Sequence, residues 1–148
     1  MTGYDRILVP TDGSDPSETA VDHAIDIADQ YDATVHSLFV VDETYPAVTH
    51  WDMVVEQEEE TGERALDSVA EAGEAAGLAV ERHLRRGVPH EEIVDAAGDY
   101  DADLIVMGTQ GRTGLSRVAS TGSTTERVVR LTTVPTLVVG GAEREREE

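Results

Sequence analysis

Ile7-Leu8-Val9-Pro10-Thr11-Asp12-Gly13-Ser14-Asp15-Pro16-Ser17-Glu18 passes from a short apolar run, through a turn, into a helix start. Tyr4–Val9 reads as a buried strand, because a brief apolar run bounded by turn residues suits a sheet covered on both faces. Asp15 at the N-cap, Pro16 at the first helical position and Glu18 three residues after the cap predict a helix, with Ser14 as the alternative cap. Ala20/Val21, Ala24/Ile25, Ala28 and Tyr31 then recur at helical spacing and predict one buried face.

The same alternation continues along the chain. Thr34–Val41 is a second strand, and Thr44–Trp51, with Pro46, is irregular. A second helix places Gly62, Ala65/Leu66, Val69, Gly73 and Ala76 on one face and stops at Gly77. Its acidic residues Glu56 and Glu58 to Glu60 read as a solvated face favoured by the helix dipole. Leu78–Arg85 is a third strand. Val88–Tyr100 holds a third helix with Ile93, Val94, Ala96, Ala97 and Tyr100 inward, and Leu104–Met107 is a fourth strand. Ser123-Thr124-Thr125-Glu126 reads as a capping box opening a fourth helix to Leu131. A fifth strand, Thr136–Val139, follows Pro135. Strands separated by helices predict an α/β fold: a single doubly wound, five-stranded parallel sheet, order 3-2-1-4-5, with helices on both faces. One domain spans residues 1–140, and 141–148 reads as an acidic, disordered tail.

Open sheets of this kind bind ligands beyond the carboxyl ends of the strands, where strand order reverses. Here that point lies between strands 1 and 4, at Pro10–Ser14 and Gly108–Gly122. The second loop is the longest Gly/Ser/Thr-rich segment in the chain. Gly108 and Gly111 allow close backbone approach, and Gly122-Ser123 at a helix start favours phosphate. Ser123, Thr124 and Thr125 add hydroxyls, and Arg112 and Arg117 add positive charge. There is no Gly-Lys-Ser/Thr and no G-x-G-x-x-G, so neither a Walker A loop nor a dinucleotide fingerprint is present. Asp12 suits either a turn bond to its own backbone or recognition of a base or ribose. His23, His36, His50, His83 and His90 fall in no metal-binding spacing and read as surface or partly buried structural residues. No G-x-S-x-G elbow is present, and Trp51 and Met53 read as packing residues or a loop cover.

The 148 residues carry 31 Asp+Glu against 11 cations, all of them Arg, for a formal charge of −20; Cys is absent. Thiol chemistry is therefore excluded. So strong a negative charge opposes binding to nucleic acid or anionic lipid. No apolar run approaches the length of about 20 residues that a membrane span needs, and no signal segment opens the chain, so a cytoplasmic location is expected. Dense carboxylates without Lys read as adaptation to a salt-rich cytoplasm, where screening relieves self-repulsion. The acids are also uneven: none falls between Leu104 and Thr125. With Arg112 and Arg117 inside that stretch, Gly111 to Thr125 is expected to be locally cationic and to favour an anionic ligand.

In combination and order, several segments carry a resemblance: Ile7 to Ser14, Val40-Val41-Asp42, Gly87-Val88-Pro89, Asp101 to Gly108, Gly111 to Gly114, Gly122 to Val128 and Val134 to Val139. From Tyr4 to Gly140 the chain resembles the universal stress protein family, in a haloarchaeal-like, acid-rich version of its ATP-binding branch. That branch carries Gly-x2-Gly-x9-Gly-Ser/Thr. Gly108-x2-Gly111 and Gly122-Ser123 match, but ten residues, Arg112 to Thr121, separate Gly111 from Gly122. The extra residue is either absorbed as a bulge or shifts the cradle out of register.

The resemblance implies ATP, with a divalent cation such as Mg or Mn, as the ligand. Pro10, Thr11 and Asp12 would border ribose and base, and Val40 would meet adenine through its backbone. Met107, Gly108 and Gly111 would line ribose and phosphates, while Gly122, Ser123, Thr124 and Thr125 would hold the phosphates and Arg112 would add charge. It also implies a homodimer through Thr136–Val139, and an exposed apolar edge strand gives a separate physical reason for one. No general base aimed at a γ-phosphate is evident. The function expected is a non-catalytic or very weakly hydrolysing regulator that acts on a protein partner. The alternatives are a nucleotide-free interaction dimer and a slow ATP hydrolase.

The salt reading has a direct test. The denaturation midpoint is expected to rise steadily from dilute buffer to molar KCl; equal stability at both ends would contradict it.

Overall fold

The computed structural model describes residues 3–43, 51–109 and 123–140. Nine elements alternate among them: β1 (Arg6–Pro10), α1 (Asp15–Tyr31), β2 (Thr34–Asp42), α2 (Trp51–Ala75), β3 (Val80–Gly87), α3 (Pro89–Asp99), β4 (Leu104–Gly108), α4 (Ser123–Leu131) and β5 (Thr136–Val139). The strands form one sheet in the order β3-β2-β1-β4-β5, every pair parallel.

The period of two along each strand sorts its side chains between two layers. Ile7 and Val9 of β1 pack with Ala20, Ala24 and Ala28 of α1 and with Val69 of α2. Leu8 points the other way, to Ile93, Ala96 and Ala97 of α3 and Val128 of α4. Ile7, Leu8 and Val9 are all fully buried, so β1 is the shared spine of both layers. Each such side chain contributes about 1.5–3 kcal/mol by leaving water. Asp103 fastens the amino-terminal ends of β1 and β4: its Oδ2 accepts the Asp5 and Arg6 N–H groups at 2.7 and 2.9 Å, and its own N–H donates to the Arg6 carbonyl.

Several expected boundaries move for local reasons. Ser14, not Asp15, caps α1, its hydroxyl accepting from the Ser17 N–H at 3.3 Å. β3 starts at Val80 rather than Leu78, because the Leu78 N–H donates to the Gly73 carbonyl and closes the end of α2. Ala76, expected inward, lies beyond that end and is exposed. Tyr31 is half exposed, although its ring packs edge-on against Tyr4 at 5.1 Å. Trp51 begins α2 instead of closing an irregular stretch. Residues 44–50, the tail 141–148, and the side chains of Trp51 and Met53 lie outside the described residues. The acidic run on α2 is not wholly solvated, since Glu59 pairs with Arg86 of β3. On the same side Arg82 bridges Glu63 and Asp67.

α2 approaches β2 closely at Gly62. A Cβ built there would lie 2.8 Å from Cγ of the buried Phe39 ring. Gly62→Ala gains about 1 kcal/mol of helix propensity. Overpacking of a filled core costs about 1–3 kcal/mol. A net loss of stability is expected, read as a lower denaturant midpoint in molar KCl; a stabilised variant would show that the contact is slack.

Candidate functional site

The order β3-β2-β1-β4-β5 reverses between β1 and β4, so the helices that follow these two strands, α1 and α4, lie on opposite faces and leave a crevice at the strands' carboxyl ends. The wall on the β1 side is a chain of local hydrogen bonds. The Thr11 N–H donates to the Leu38 carbonyl at 2.8 Å, extending the β1–β2 ladder one residue past Pro10. Thr11 is buried; its Oγ1 lies 3.2 Å from Ser17 Oγ and accepts from the Gly13 N–H at 3.2 Å. Asp12 Oδ1 accepts the Ser14 N–H at 3.0 Å, the turn-forming role. Gly13 takes φ +81°, a conformation that suits glycine and lets the chain swing from strand to helix. These bonds hold the half-buried Asp12 in a fixed place at the crevice rim.

Val40 lies on the neighbouring strand. The Leu38 carbonyl faces β1, and residues two apart on a strand turn their peptide groups to the same side. The Val40 N–H and C=O therefore face the β1 side one pair beyond the end of that strand, where the chain has turned away at Asp12. A planar group placed beside Asp12 would meet this peptide edge.

Met107 and Gly108 form the buried floor on the β4 side. Thr109 N–H donates to the Val139 carbonyl at 3.0 Å, which anchors the strand end to β5. The side chain of Thr125, a residue expected to hold phosphate, is buried, and its Oγ1 donates to the Gly108 carbonyl at 2.8 Å. That bond ties the start of α4 to the end of β4. Ser123 is exposed and Thr124 half-buried at the same helix terminus. Ser123 is the first helical residue rather than the cap. The structure thus brings Pro10, Thr11, Asp12 and Val40 to one wall and Met107, Gly108, Ser123, Thr124 and Thr125 to the other. Gly111, Arg112, Arg117 and Gly122 lie outside the described residues. Behind the β1 turn, Thr11 and Gly13 also border a cavity of about 160 Å³ between α1 and α2, lined further by Glu18, Asp22, Ala65 and Ser68.

One constellation was not anticipated from sequence. His36 Nδ1 and His83 Nε2 are 3.0 Å apart, with Glu81 beside them. Spacing along the chain could not show it, because His36 and His83 are 47 residues apart. The usable signal was Glu81-x-His83, two residues that share a face on the strand paired with the one bearing His36.

The fold and the crevice define a doubly wound α/β protein with its site at the strand-order reversal. The sequence model of the universal stress protein family matches residues 3–140, and the chain belongs to that family. It is 42% identical over 146 residues to a universal stress protein of Methanocaldococcus jannaschii, covering 96% of this chain and 85% of the relative. The structure of universal stress protein UspA from Lactobacillus plantarum superposes with a TM-score of 0.81 at 30% identity, covering 94% of this chain and 99% of that one. A universal stress protein solved in complex with cAMP aligns with a TM-score of 0.71 at 28% identity, over 95% of this chain and 100% of the other.

Thr125→Val removes the hydroxyl, keeps the shape and leaves the buried Gly108 carbonyl without that donor. A loss of about 1–3 kcal/mol is expected, with Thr125→Ser close to the unmodified chain. Equal stability of the Val variant in denaturant unfolding would remove Thr125 from the clasp.

Proposed function

We propose that this member of the universal stress protein family binds an adenine nucleotide, ATP in the first instance, in the crevice between the ends of β1 and β4. The observation that carries the reading is the pairing of a held carboxylate, Asp12, with the open peptide edge of Val40. Together they offer an acceptor and a donor–acceptor pair to the edge of a base and to ribose hydroxyls. The cAMP-bound relative supports a nucleotide as the ligand class. Phosphates would lie toward the first turn of α4, where helical N–H groups and the Ser123 and Thr124 hydroxyls favour anions. Gly108, Gly111, Arg112 and Gly122 belong to this reading through their positions in the sequence motif. No carboxylate occurs between Leu104 and Thr125. A divalent cation such as Mg or Mn would therefore be held by phosphate oxygens and hydroxyls.

The protein acts in this reading as a cytoplasmic regulator of the stress response, with binding biasing its conformation toward a protein partner. Its own assembly is a homodimer through β5. Val129, Leu131 and Leu137, three of the four exposed large apolar side chains among the described residues, belong to α4 and β5. The opposite edge, β3, carries Glu81, Arg82, Arg85 and Arg86, charges that discourage strand addition. The ten-residue spacing between Gly111 and Gly122 favours one second reading, a dimer of the same fold that takes no nucleotide.

Isothermal titration with ATP in molar KCl, with and without Mg, is expected to give saturable binding that Gly122→Val abolishes. Mass spectrometry of the purified protein is expected to find adenine nucleotide. No heat and no bound nucleotide would leave the interaction dimer standing.

A further inference from the structure

β2 and β3 pair in parallel with His36 opposite Glu81 and Leu38 opposite His83. Paired residues point to the same face, and the period of two keeps Glu81 and His83 together on it. All three side chains thus rise on the face covered by α3. Their ligand atoms, one nitrogen from each ring and a carboxylate oxygen, all lie within 4.8 Å of one another. The two imidazoles are nearly coplanar, 5° apart, and meet edge to edge through His36 Nδ1 and His83 Nε2. Tyr100 of the α3 C-cap stacks on His83 at 3.9 Å and lies 5.7 Å from His36. Arg85 fixes that ring: its Nη1 donates to the Tyr100 hydroxyl at 3.1 Å, while Glu92 and Asp99 hold the guanidinium.

We propose that His36, His83 and Glu81 form a binding site for a divalent cation of the zinc class, with water completing a four-coordinate shell. Two imidazoles and one carboxylate, with a position left for solvent, are a donor set that zinc accepts. At zinc–nitrogen distances of about 2.0–2.1 Å and a tetrahedral angle, the two nitrogens would stand about 3.3 Å apart. They already stand at 3.0 Å, but each ring now aims its nitrogen at the other, so both rings must also turn by about 35° for their lone pairs to meet on one ion. One ring now donates its proton to the other. Coordination by both facing nitrogens requires the donor ring to carry that proton on its outer nitrogen instead, a tautomer change that leaves the net charge unaltered. Burial holds both imidazoles below the ordinary histidine range, and Arg6 near His36 and Arg85 near His83 act the same way, while Glu81 opposes. The neutral rings are the ligating form. His36 is buried and Glu81 exposed, so the ion would enter from the β3 edge.

The site stands at the amino-terminal pole of the sheet. His36 precedes Val40, the crevice residue on the same strand, by four residues, or about 13 Å of strand. It is therefore separate from the nucleotide crevice, and its occupancy is expected to be indifferent to ATP.

The test uses the full chain, freed of metal by chelator and held in molar KCl. Zinc titration followed by histidine side-chain NMR is expected to move His36 and His83 together at one equivalent and leave His23, His50 and His90 in place. Cobalt is expected to give the visible absorption of a four-coordinate site, and His83→Gln is expected to weaken zinc binding at least 10-fold. Zinc uptake that leaves the His36 and His83 resonances unmoved would assign the ion to surface carboxylates and overturn the proposal. So would affinity unchanged in a folded His83→Gln variant. If that variant does not fold, the NMR titration of the unmodified chain decides.

Discussion

Everything in this molecule is arranged around β1, a strand that must be buried on both faces and paired on both edges. Parallel neighbours can be reached only through crossover connections, and those are right-handed. Moving outward from β1 through β2 to β3 therefore puts α1 and α2 on one face. Returning past β1 to β4 and β5 puts α3 and α4 on the other. The reversal puts α1 and α4, the helices that follow β1 and β4, on opposite faces, and the crevice is what their parting leaves. The crevice is thus a consequence of satisfying Ile7, Leu8 and Val9, not a separate feature added to the fold.

The crevice walls are built from short polar side chains that hydrogen-bond their own backbone. Thr11, Asp12, Ser14 and Ser17 fix the β1 turn, and Thr125 fastens α4 to β4. Such bonds contribute modestly one by one, about 1 kcal/mol each. Their larger effect is to hold Asp12 and the Val40 peptide edge in one relation before any ligand arrives, which lowers the entropic cost of binding. The acidic surface is organised as well. Arg82, Arg85 and Arg86 of β3 draw carboxylates from α2 and α3 onto both sides of the sheet edge, so part of the negative charge is neutralised where it brings layers together.

The fold was legible in the sequence because the alternation of short apolar runs with helical periodicity leaves few ways to connect the pieces. The strand order, the pairing of all strands in parallel and the extent of β5 were all readable from it. Boundaries shifted where a single hydrogen bond decided them, as with Ser14 in place of Asp15 and Leu78 drawn into the end of α2. The inward turn of the Thr125 side chain was not readable for a comparable reason. A hydroxyl in a Ser/Thr run looks available until packing shows it turned inward to the Gly108 carbonyl. The pairing of His36 with His83 was hidden because register between strands is a tertiary quantity, and Glu81-x-His83 on its own segment does not show that His36 lies opposite it.

The central claim is that a nucleotide sits where the strand order reverses. Backbone amide NMR during titration with ATP and Mg in molar KCl tests it most directly. The account predicts shifts confined to Thr11–Ser14, Val40 and its neighbours, and the stretch from Met107 to Thr125, with the His36 and Glu81 amides unchanged. Shifts centred instead on the cavity between α1 and α2, around Asp22, Ser68 and Ala72, or no shifts at saturating nucleotide, would contradict it.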